Sequence, residues 1–415
     1  MKLLQVQVPD FRVLKDVDIK FDRRFVPNIF PLGSLNGGGK STLLQLVFVL
    51  LHCCTNPERK IFIKNLLHGF TLNDDSSDRV LAIIKIWDGE KEVEIKFLVC
   101  HNTYIANILN QNVEIKSPSD NLTLIDENSI KNLLTQNNKS QNNKDSGYYQ
   151  YLYSKYLPLK NIIYICPYFS GLGVGENHLL CKIGDNLDIN KAESWLDEIS
   201  NKVFLAAPIS QVFLFTSQTS RRLLFQQNSE RDYDLDLKSS KSKLPGFFTY
   251  DFAPVDLLIK AFTSARDEDF RTAIETEGEY GKRYKELLAE LNLLLANKKV
   301  NISTDFSTIT FKLDTNDKNI ELYPEDLSHG ELKRLSIYMW LKYNKIEDAI
   351  VLMDEIEIGF HPDWQYRIIP DLEQWSPSNQ YILATHSYEL CQALTPAHVR
   401  ELEPKLIKSD NNISL

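Results

Sequence analysis

The chain has 415 residues, of which 43% are hydrophobic and 25% charged, and its formal net charge is −9. This balance is typical of a soluble globular protein with room for a large core and two or three lobes. The acidic total gives no support for a nucleic-acid coat protein, which is usually basic, although a local basic patch can act alone.

The sequence contains no pattern typical of a membrane or secreted protein. No stretch reaches the roughly 18 to 20 uninterrupted apolar residues that span a bilayer, and the N-terminus has no long apolar core of a signal peptide. The cysteines include no C-x-x-C pair and mostly lie in apolar runs, so we expect buried, reduced thiols in a cytoplasmic protein. They are Cys53, Cys54, Cys100, Cys166, Cys181 and Cys391.

The first part of the chain is predicted to be rich in β-structure. Val17, Ile19 and Phe21 alternate with polar residues, as a half-buried strand requires. Two strand-like runs, 80–87 and 92–99, are joined by Asp88-Gly89, which is a strong hairpin signal. Residues 28–32 form a short predicted strand that leads through glycines into an apolar helix from Ser41, and 162–166 is another candidate strand.

The middle of the chain has a different pattern. The polar run 136–146 and the glycines Gly171, Gly173 and Gly175 predict loops. Residues 192–299 have a mostly helical pattern, with 238–243 as a loop. The stripe of Leu287, Leu288, Leu291, Leu294 and Leu295 is too short for a long coiled coil and predicts packing within a lobe.

A second hairpin is predicted from the strands 307–313 and 319–322, and α/β patterning follows to about residue 400. We therefore predict three domains. They are an N-terminal lobe over 1–165, a mainly helical insertion over 166–304 and a C-terminal lobe over 305–415.

A glycine-rich loop between a predicted strand and a predicted helix carries the first nucleotide-binding pattern. Glycines allow backbone N–H groups to converge on polyphosphate, and the helix adds the positive end of its dipole. Lys40 can reach the β- and γ-phosphates, and Ser41 can ligate Mg²⁺. Ser34 stands where the usual motif has glycine, and the alternative is a glycine-rich turn before a buried helix. The predicted ATP-binding residues are Asn36, Gly37, Gly38, Gly39, Lys40, Ser41 and Thr42.

Two further apolar runs end in polar side chains. Residues 349–355 read AIVLMDE, and the carboxylates follow a run typical of a buried parallel strand, at the end where α/β sheets bind ligands. Asp354 would then hold the Mg²⁺ shell, and Glu355 would polarise the attacking water. Residues 381–387 read YILATHS, so His386 could contact the γ-phosphate or the water and sense hydrolysis. The alternatives are an acidic strand end and a structural histidine.

A second phosphate-binding pattern lies at residues 327–331, which read LSHGE and precede a helical run. Serine and glycine at a helix start can bind phosphate, although an ordinary N-cap has the same residues. One nucleotide does not need two phosphate-binding helix starts from one chain. The pattern therefore predicts that this helix start contacts a nucleotide bound by another copy. The predicted signature residues are Ser328, His329, Gly330 and Glu331.

In their order, these elements resemble those of ABC-type ATPases of the SMC, RecF and OLD kind. Residues 354–362, DEIEIGFHP, are similar to that group's D-E-x-E-x-x-L-H-P string, and Glu331 fits its signature. The pair Phe11-Arg12 resembles the aromatic-basic pair that begins RecF-like heads. His329 departs from the commoner glycine, and we identify no Q-loop glutamine. The resemblance covers 1–100 and 305–400.

The resemblance implies a P-loop NTPase head of the ABC type. Its parts would be a mixed sheet with flanking helices, an antiparallel N-terminal lobe and a mostly helical insertion. It implies ATP as substrate, Mg²⁺ as cofactor, catalytic roles for Glu355 and His386, and a homodimer joined by an ATP sandwich. Arg12 would reach the nucleotide, with an ordinary surface position as the alternative.

The whole chain is most similar to bacterial restriction system-associated AAA family ATPases, which implies a defence role beside a separate nuclease or toxin. The alternatives are an ATP-gated scaffold or inhibitor of a toxic partner, a RecF-like repair ATPase and a transporter ATPase subunit. If the chain contacts DNA, five basic residues are the candidates. The alternative is that they form an ordinary solvated helix face. They are Arg221, Arg222, Lys282, Arg283 and Lys285.

Overall fold

The computed structural model describes residues 1–34, 37–72, 77–113, 153–169, 176–209, 215, 233–250, 254–295, 297–313 and 320–402. Some predicted features lie outside these ranges. They are Asn36, the polar run 136–146, the loop of Gly171, Gly173 and Gly175, and the basic residues Arg221 and Arg222.

The strands and helices alternate in blocks along the described chain. The strands are β1 (Lys2–Phe11), β2 (Leu14–Lys20), β3 (Ile29–Gly33), β4 (Asp78–Trp87), β5 (Glu92–His101), β6 (Ile162–Phe169), β7 (Glu176–Ile183), β8 (Val203–Ala207), β9 (Phe247–Thr249), β10 (Lys298–Ile302), β11 (Ile309–Leu313), β12 (Ile320–Leu322), β13 (Ile350–Asp354), β14 (Gln380–Ala384) and β15 (Arg400–Glu401). The helices are α1 (Lys40–Cys53), α2 (Lys60–Leu67), α3 (Asn102–Val113), α4 (Ile189–Ser200), α5 (Tyr233–Lys243), α6 (Pro254–Glu275), α7 (Arg283–Leu294), α8 (His329–Tyr343), α9 (Pro362–Trp375) and α10 (Tyr388–Gln392).

An antiparallel sheet forms the first layer, with the strand order β2-β1-β4-β5-β7-β6. The predicted hairpin is confirmed as β4 and β5, whose turn is closed by Asp88. The Asp88 carboxylate accepts hydrogen bonds from the backbone N–H groups of Glu90 and Lys91, each at 2.8 Å. Gly89 in the same turn has a φ of 121°, a conformation that favours glycine.

A parallel sheet forms the second layer, with the order β15-β3-β14-β13-β8-β9. Every pairing in it is parallel. Its central strands β3, β13 and β14 are short apolar runs that are buried on both faces, as such a sheet requires. Over the described residues, the first layer is therefore entirely antiparallel and the second layer is entirely parallel.

Helix α1 lies between the two layers. It is buried around most of its circumference, including Leu46, Phe48 and Leu50, because it packs in one core with the antiparallel sheet and one face of the parallel sheet. Alternate residues of β13 face opposite sides. Leu352 belongs to this core, whereas Met353 belongs to a second core that contains α8 and α9. The parallel sheet is thus covered on both faces, and none of the helices in the described ranges is long and apolar enough to cross a bilayer.

Two predictions for the middle of the chain need correction or refinement. Residues 238–243 are not a loop but the end of α5, and the earlier prediction is wrong. Lysine favours helices, and Lys241 also ties this helix to β9 through a 2.7 Å hydrogen bond to Thr249. The predicted insertion over 166–304 includes the helices α4 to α7 but also β7, which joins the antiparallel sheet, and β8 and β9, which join the parallel sheet. The domain boundaries stay a prediction.

The predicted second hairpin is confirmed as β11 and β12, and β10 pairs on the other side of β11. Helices α6 and α7 form a helical hairpin ahead of this small sheet. All five leucines of the predicted stripe belong to the second core or pack against it. Of the cysteines, Cys391 is half-buried and the other five are buried, and all are free thiols, as predicted.

Three of the basic residues proposed for DNA contact, Lys282, Arg283 and Lys285, lie at the start of α7. Arg283 is exposed and lies near two glutamates, at 3.8 Å from Glu268 and 3.6 Å from Glu286. The backbone N–H of Arg283 is capped by Asp269 at 2.8 Å. Acidic neighbours therefore compensate this basic group, which weakens its attraction for a phosphate backbone.

A buried ion pair joins α8 to α9. Arg334 donates to both carboxylate oxygens of Asp371, at 2.7 and 2.9 Å, and also to the carbonyl of Leu294 at 2.8 Å. Both side chains of the ion pair are at most 10% exposed. The guanidinium therefore connects α7, α8 and α9, and its charge depends on Asp371 for compensation.

Replacing Asp371 by asparagine is expected to lower the free energy of unfolding by about 3 kcal/mol, because it leaves the Arg334 charge buried without a counter-charge. Denaturant unfolding followed by circular dichroism measures the change. Asp22→Asn is the control, because Asp22 pairs with the exposed Arg24 and should have no measurable effect. Equal destabilisation by both variants would contradict this account of the ion pair.

Candidate nucleotide-binding site

Three predicted segments meet at one edge of the parallel sheet. Because β14 lies between β3 and β13, the glycine loop after β3, the acidic end of β13 and His386 after β14 all emerge at adjacent carboxyl ends. The register aligns Asp354 with Ala384 and Ala384 with Leu32. Ligands of open α/β sheets bind at this edge.

The glycine loop has the backbone conformation that the sequence requires. Gly37 and Gly39 have φ values of 78° and 90°, which favour glycine. A Cβ atom on Gly39 would also lie 2.6 Å from Leu14 and 2.9 Å from Val13. The turn between β1 and β2 therefore packs directly against the loop. Gly38 is buried, and Thr42 is half-buried in the first turn of α1.

Lys40 is buried at the start of α1 and has acceptors on two sides. Its ammonium donates to the carbonyl and the hydroxyl of Ser34, at 3.1 and 3.0 Å. It also lies 3.0 Å from His386 Nε2, which accepts because an ammonium can only donate. Ser34, the departure from the usual motif, thus supplies a hydroxyl acceptor that glycine lacks.

Ser41 and Asp354 are also in direct contact. The Ser41 hydroxyl donates to the Asp354 carboxylate at 3.0 Å. Burial, together with the nearby charges of Glu355 and Glu357, raises the pKa of Asp354 to about 7. Burial lowers the pKa of Lys40, and the charges of Glu357, Asp354 and Glu355 oppose that shift. The charges of three carboxylates therefore act on one buried ammonium, and a second cation would be favoured there.

The turn after β13 is held in an unusual backbone conformation. Glu355 has a φ of 51°, and its N–H donates to the Ala384 carbonyl at 2.9 Å. The buried ammonium of Lys333 donates to the carbonyls of Glu355 and Ile358, at 3.1 and 2.9 Å. Lys333 comes from α8, so the signature helix is connected to the backbone of the predicted catalytic glutamate. Sequence reasoning missed Lys333, since no local pattern distinguishes it from a surface lysine.

Glu357 is a second residue that sequence reasoning missed. One of its carboxylate oxygens accepts the backbone N–H of His386 at 2.7 Å. It therefore fixes the start of the segment that carries the predicted switch histidine. A signal existed in the D-E-x-E string, where Glu357 is the second glutamate.

The residues at this edge fit a magnesium ion that arrives with a nucleotide. The hydroxyl of Ser41 and the carboxylate of Asp354 are the hard oxygen ligands that Mg²⁺ prefers. In the part of the chain that the structure describes, no group of three or more His, Cys, Asp or Glu side chains could hold a metal ion by itself. This agrees with the usual Mg²⁺ chemistry, in which one or two protein groups and the phosphates of the substrate share the ion.

The predicted signature residues form the start of α8. Ser328 is its N-cap, and it forms a capping box with Glu331, whose carboxylate accepts from the Ser328 N–H and hydroxyl at 2.9 Å each. Glu331 is also paired with Lys298 of β10. A Cβ on Gly330 would lie 2.9 Å from the carbonyl of Gly359, so this position requires glycine for packing. His329 is exposed beside the same turn.

The structure does not bring every predicted site residue to the glycine loop. The signature residues contact Lys298 and the turn after β13, and none of their hydrogen bonds goes to residues 37–42 among the described positions. Arg12 lies in the turn that packs on the loop, but its guanidinium donates to the Leu66 carbonyl at 2.8 Å. The role of Arg12 at the nucleotide stays a prediction.

These features together define a P-loop head of the ABC type. A loop and helix after β3, paired acids after β13 and a histidine after β14 share one edge of a parallel sheet, and an antiparallel lobe covers α1. The fold class predicted from the sequence is confirmed, except that every described pairing of the predicted mixed sheet is parallel.

Comparison with known proteins points in the same direction. Residues 213–392 match the family described as "AAA domain, putative AbiEii toxin, Type IV TA system". The predicted resemblance to ABC-type ATPases of the SMC, RecF and OLD kind is confirmed. The narrower association with restriction systems stays a prediction.

Two relatives are retron proteins. The chain is 30% identical over 112 residues to the Retron Ec83 probable ATPase of Escherichia coli, which covers 27% of this chain and 19% of that protein. It is 41% identical over 52 residues to the Retron Vc95 probable ATPase of Vibrio cholerae serotype O1 biovar El Tor, which covers 12% and 10%. The chain thus matches at most about a fifth of either relative. Among solved structures, the SMC head domain from Thermotoga maritima aligns over 97% of this chain and 94% of that one, at 10% identity and a TM-score of 0.41.

Asp354→Asn is expected to stabilise the nucleotide-free protein at pH 8. The native pKa of Asp354 is about 7 against an ordinary value of 3.8, so the native state retains a proton that the unfolded state has released between these values. Stability therefore falls as the pH rises from about 4 to about 7, and the whole penalty is present above 7. The variant should gain about 2–4 kcal/mol at pH 8 and little at pH 4.

Denaturant unfolding in EDTA at both pH values measures this difference. Each protein serves as its own control, because only the pH changes. A gain of equal size at pH 4 and pH 8, or a loss at pH 8, would show that ionisation of Asp354 is not the cause.

Proposed function

We propose that this chain binds and hydrolyses ATP with Mg²⁺ and that two copies, placed head to tail, complete each active site. The observation that carries the proposal is the direct contact of Lys40 with His386 and of Ser41 with Asp354, across three adjacent strand ends. These contacts support the proposal, because they bring together side chains suited to binding phosphate, holding a metal and sensing hydrolysis. The site roles below belong to this proposal.

Binding begins at the loop before α1. The backbone N–H groups of Gly37, Gly38 and Gly39 and the positive end of the α1 dipole favour a polyphosphate there. The ammonium of Lys40 exchanges its present acceptors, Ser34 and His386, for phosphate oxygens. This exchange is favourable because a phosphate carries more negative charge than a hydroxyl or an imidazole. It also releases His386 Nε2.

Hydrolysis uses the groups at the ends of β13 and β14. Ser41 and Asp354 would hold Mg²⁺, which would neutralise charge on the phosphates. Glu355 orients the attacking water and accepts its proton, in the manner of a general base. His386, freed from Lys40, is placed to bond the γ-phosphate or the water. The hydrogen bond from Glu355 N–H to Ala384 keeps the two catalytic segments in register.

The dimer follows from the position of the signature. Ser328 caps the start of a helix whose contacts lie with the turn after β13 instead of with the glycine loop of its own chain. Its N–H groups and dipole suit a phosphate, so the nucleotide it serves is the one on a second copy. A twofold arrangement places each signature over the partner's loop and forms two equal sites.

Mixing two inactive variants tests the head-to-tail arrangement. Lys40→Ala damages the loop and Ser328→Arg blocks the signature, so each protein alone should lose ATP hydrolysis. In a mixed dimer one site combines both defects, and the other combines an intact loop with an intact signature. A one-to-one mixture should therefore recover about one quarter of the wild-type rate, because half of the dimers are mixed and each has one intact site.

The matched control mixes Lys40→Ala with Glu355→Gln. Both changes act on the nucleotide bound by the same chain, so no intact site can form and no activity should return. Phosphate release measures all rates. Equal recovery in the two mixtures, or none with Ser328→Arg, would refute the head-to-tail site, and normal hydrolysis by Lys40→Ala alone would refute the ATP site.

The biological setting belongs to the same proposal. The relatives are named as retron ATPases, and the family description names a toxin of a type IV toxin–antitoxin system. These names support an ATPase subunit of a bacterial defence complex that works with a separate effector protein. ATP-driven joining and separation of two heads would then control the effector.

A further inference from the structure

Glu357 has one carboxylate oxygen in use and one without a partner. Its Oε1 accepts the backbone N–H of His386 at 2.7 Å. Its Oε2 is buried and has no hydrogen-bond partner among the residues that the structure describes. The residue is only 8% exposed, so water reaches it poorly. A buried, unpaired carboxylate oxygen is costly and requires an explanation.

The surroundings of Glu357 indicate what its free oxygen could bind. Glu357 Oε1 holds the backbone of His386, and the Nε2 of His386 lies 3.0 Å from the Lys40 ammonium. The charge of Glu357 also acts on Lys40 and on Asp354, the residues that would hold the nucleotide and its metal. Lys40 already has three acceptors, in Ser34 and His386, so it does not satisfy Glu357 Oε2.

We infer that Glu357 is part of the magnesium site, with Oε2 bound to the hydrated metal ion and Oε1 holding the His386 segment. This inference rests on the proposed function. Mg²⁺ retains several waters in proteins, and these waters need acceptors around the ion. A carboxylate that contacts the metal's waters on one side and the backbone of the switch histidine on the other connects metal binding to the position of His386.

Glu357→Gln removes the negative charge of the side chain but keeps its size. Glutamine has the same size, and its carbonyl can still accept the N–H of His386. Removal of an outer-shell partner typically costs 10–100-fold in metal affinity. With a fluorescent ATP analogue as probe, the Mg²⁺ concentration for half-maximal binding should therefore rise about 10-fold or more. In EDTA the same analogue should bind at least as tightly as to wild type, because one negative charge near the phosphates has gone.

Two further variants complete the experiment. Glu389→Gln is the control, since Glu389 contacts Ser387 beside His386 but is not among the carboxylates acting on Lys40 or Asp354. Its Mg²⁺ requirement should stay at the wild-type value. Glu357→Asp keeps the charge and should retain a lower Mg²⁺ requirement than Glu357→Gln. Thermal melting without metal tests folding, and Glu357→Gln should melt no lower than wild type, because it buries no charge.

Manganese binding gives a readout without catalysis. Electron paramagnetic resonance measures free Mn²⁺ during titration with protein and a non-hydrolysable ATP analogue. Glu357→Gln should show the same loss of affinity for the metal ion. A Mg²⁺ or Mn²⁺ requirement within twofold of wild type would overturn the inference and leave the proposed ATPase intact. If the wild-type protein itself binds no nucleotide in Mg²⁺, the proposed function fails and this inference fails with it.

Discussion

The candidate nucleotide-binding site depends on the buried ammonium of Lys40. Ser34 and His386 accept its hydrogen bonds, and the charges of Asp354, Glu355 and Glu357 act on it. The parallel sheet enforces this arrangement, because β14 lies between β3 and β13 and all three strands run in the same direction. Burial lowers the pKa of Lys40 and raises that of Asp354 to about 7, so both groups are moved toward their uncharged forms. The excess of carboxylate charge favours a second cation beside Asp354.

The rest of the fold stabilises this costly site. Helix α1 contributes Lys40 and Ser41 at its start, but nearly all its remaining residues are buried between the two sheets. Such burial is worth about 1.5–3 kcal/mol for each large apolar side chain, and several of them outweigh the penalty at one carboxylate. Gly39 is packed closely, because Leu14 and Val13 would meet any side chain added there. Strain at a functional site is thus maintained by the core around it, as the left-handed Glu355 also illustrates.

The sequence allows prediction of features that depend on neighbours along the chain. The glycine loop, the Asp88-Gly89 hairpin and the buried strand before Asp354 each have a local pattern, and each is found where expected. Contacts between distant residues have no such pattern. Glu357 meets His386 across 29 residues and Lys333 meets the Glu355 carbonyl across 22, so neither role could be derived from spacing. Strands β8 and β9, of five and three residues, were hidden in a segment with helical periodicity, because short strands depend on pairing partners.

The charges at the signature also support a phosphate-facing helix start. Glu331 is needed in the capping box of Ser328, but its carboxylate would repel a polyphosphate placed over the same helix. Lys298 removes this conflict, because it pairs with Glu331 where both side chains are nearly buried, at 13% and 11% exposure. The cap is retained while its charge is compensated, and the positive end of the helix dipole stays available to an anion. Since α7 ends shortly before Lys298 and Arg334 holds the Leu294 carbonyl, the helical hairpin is connected to the signature at two points. Movement of the hairpin would therefore also shift the start of α8.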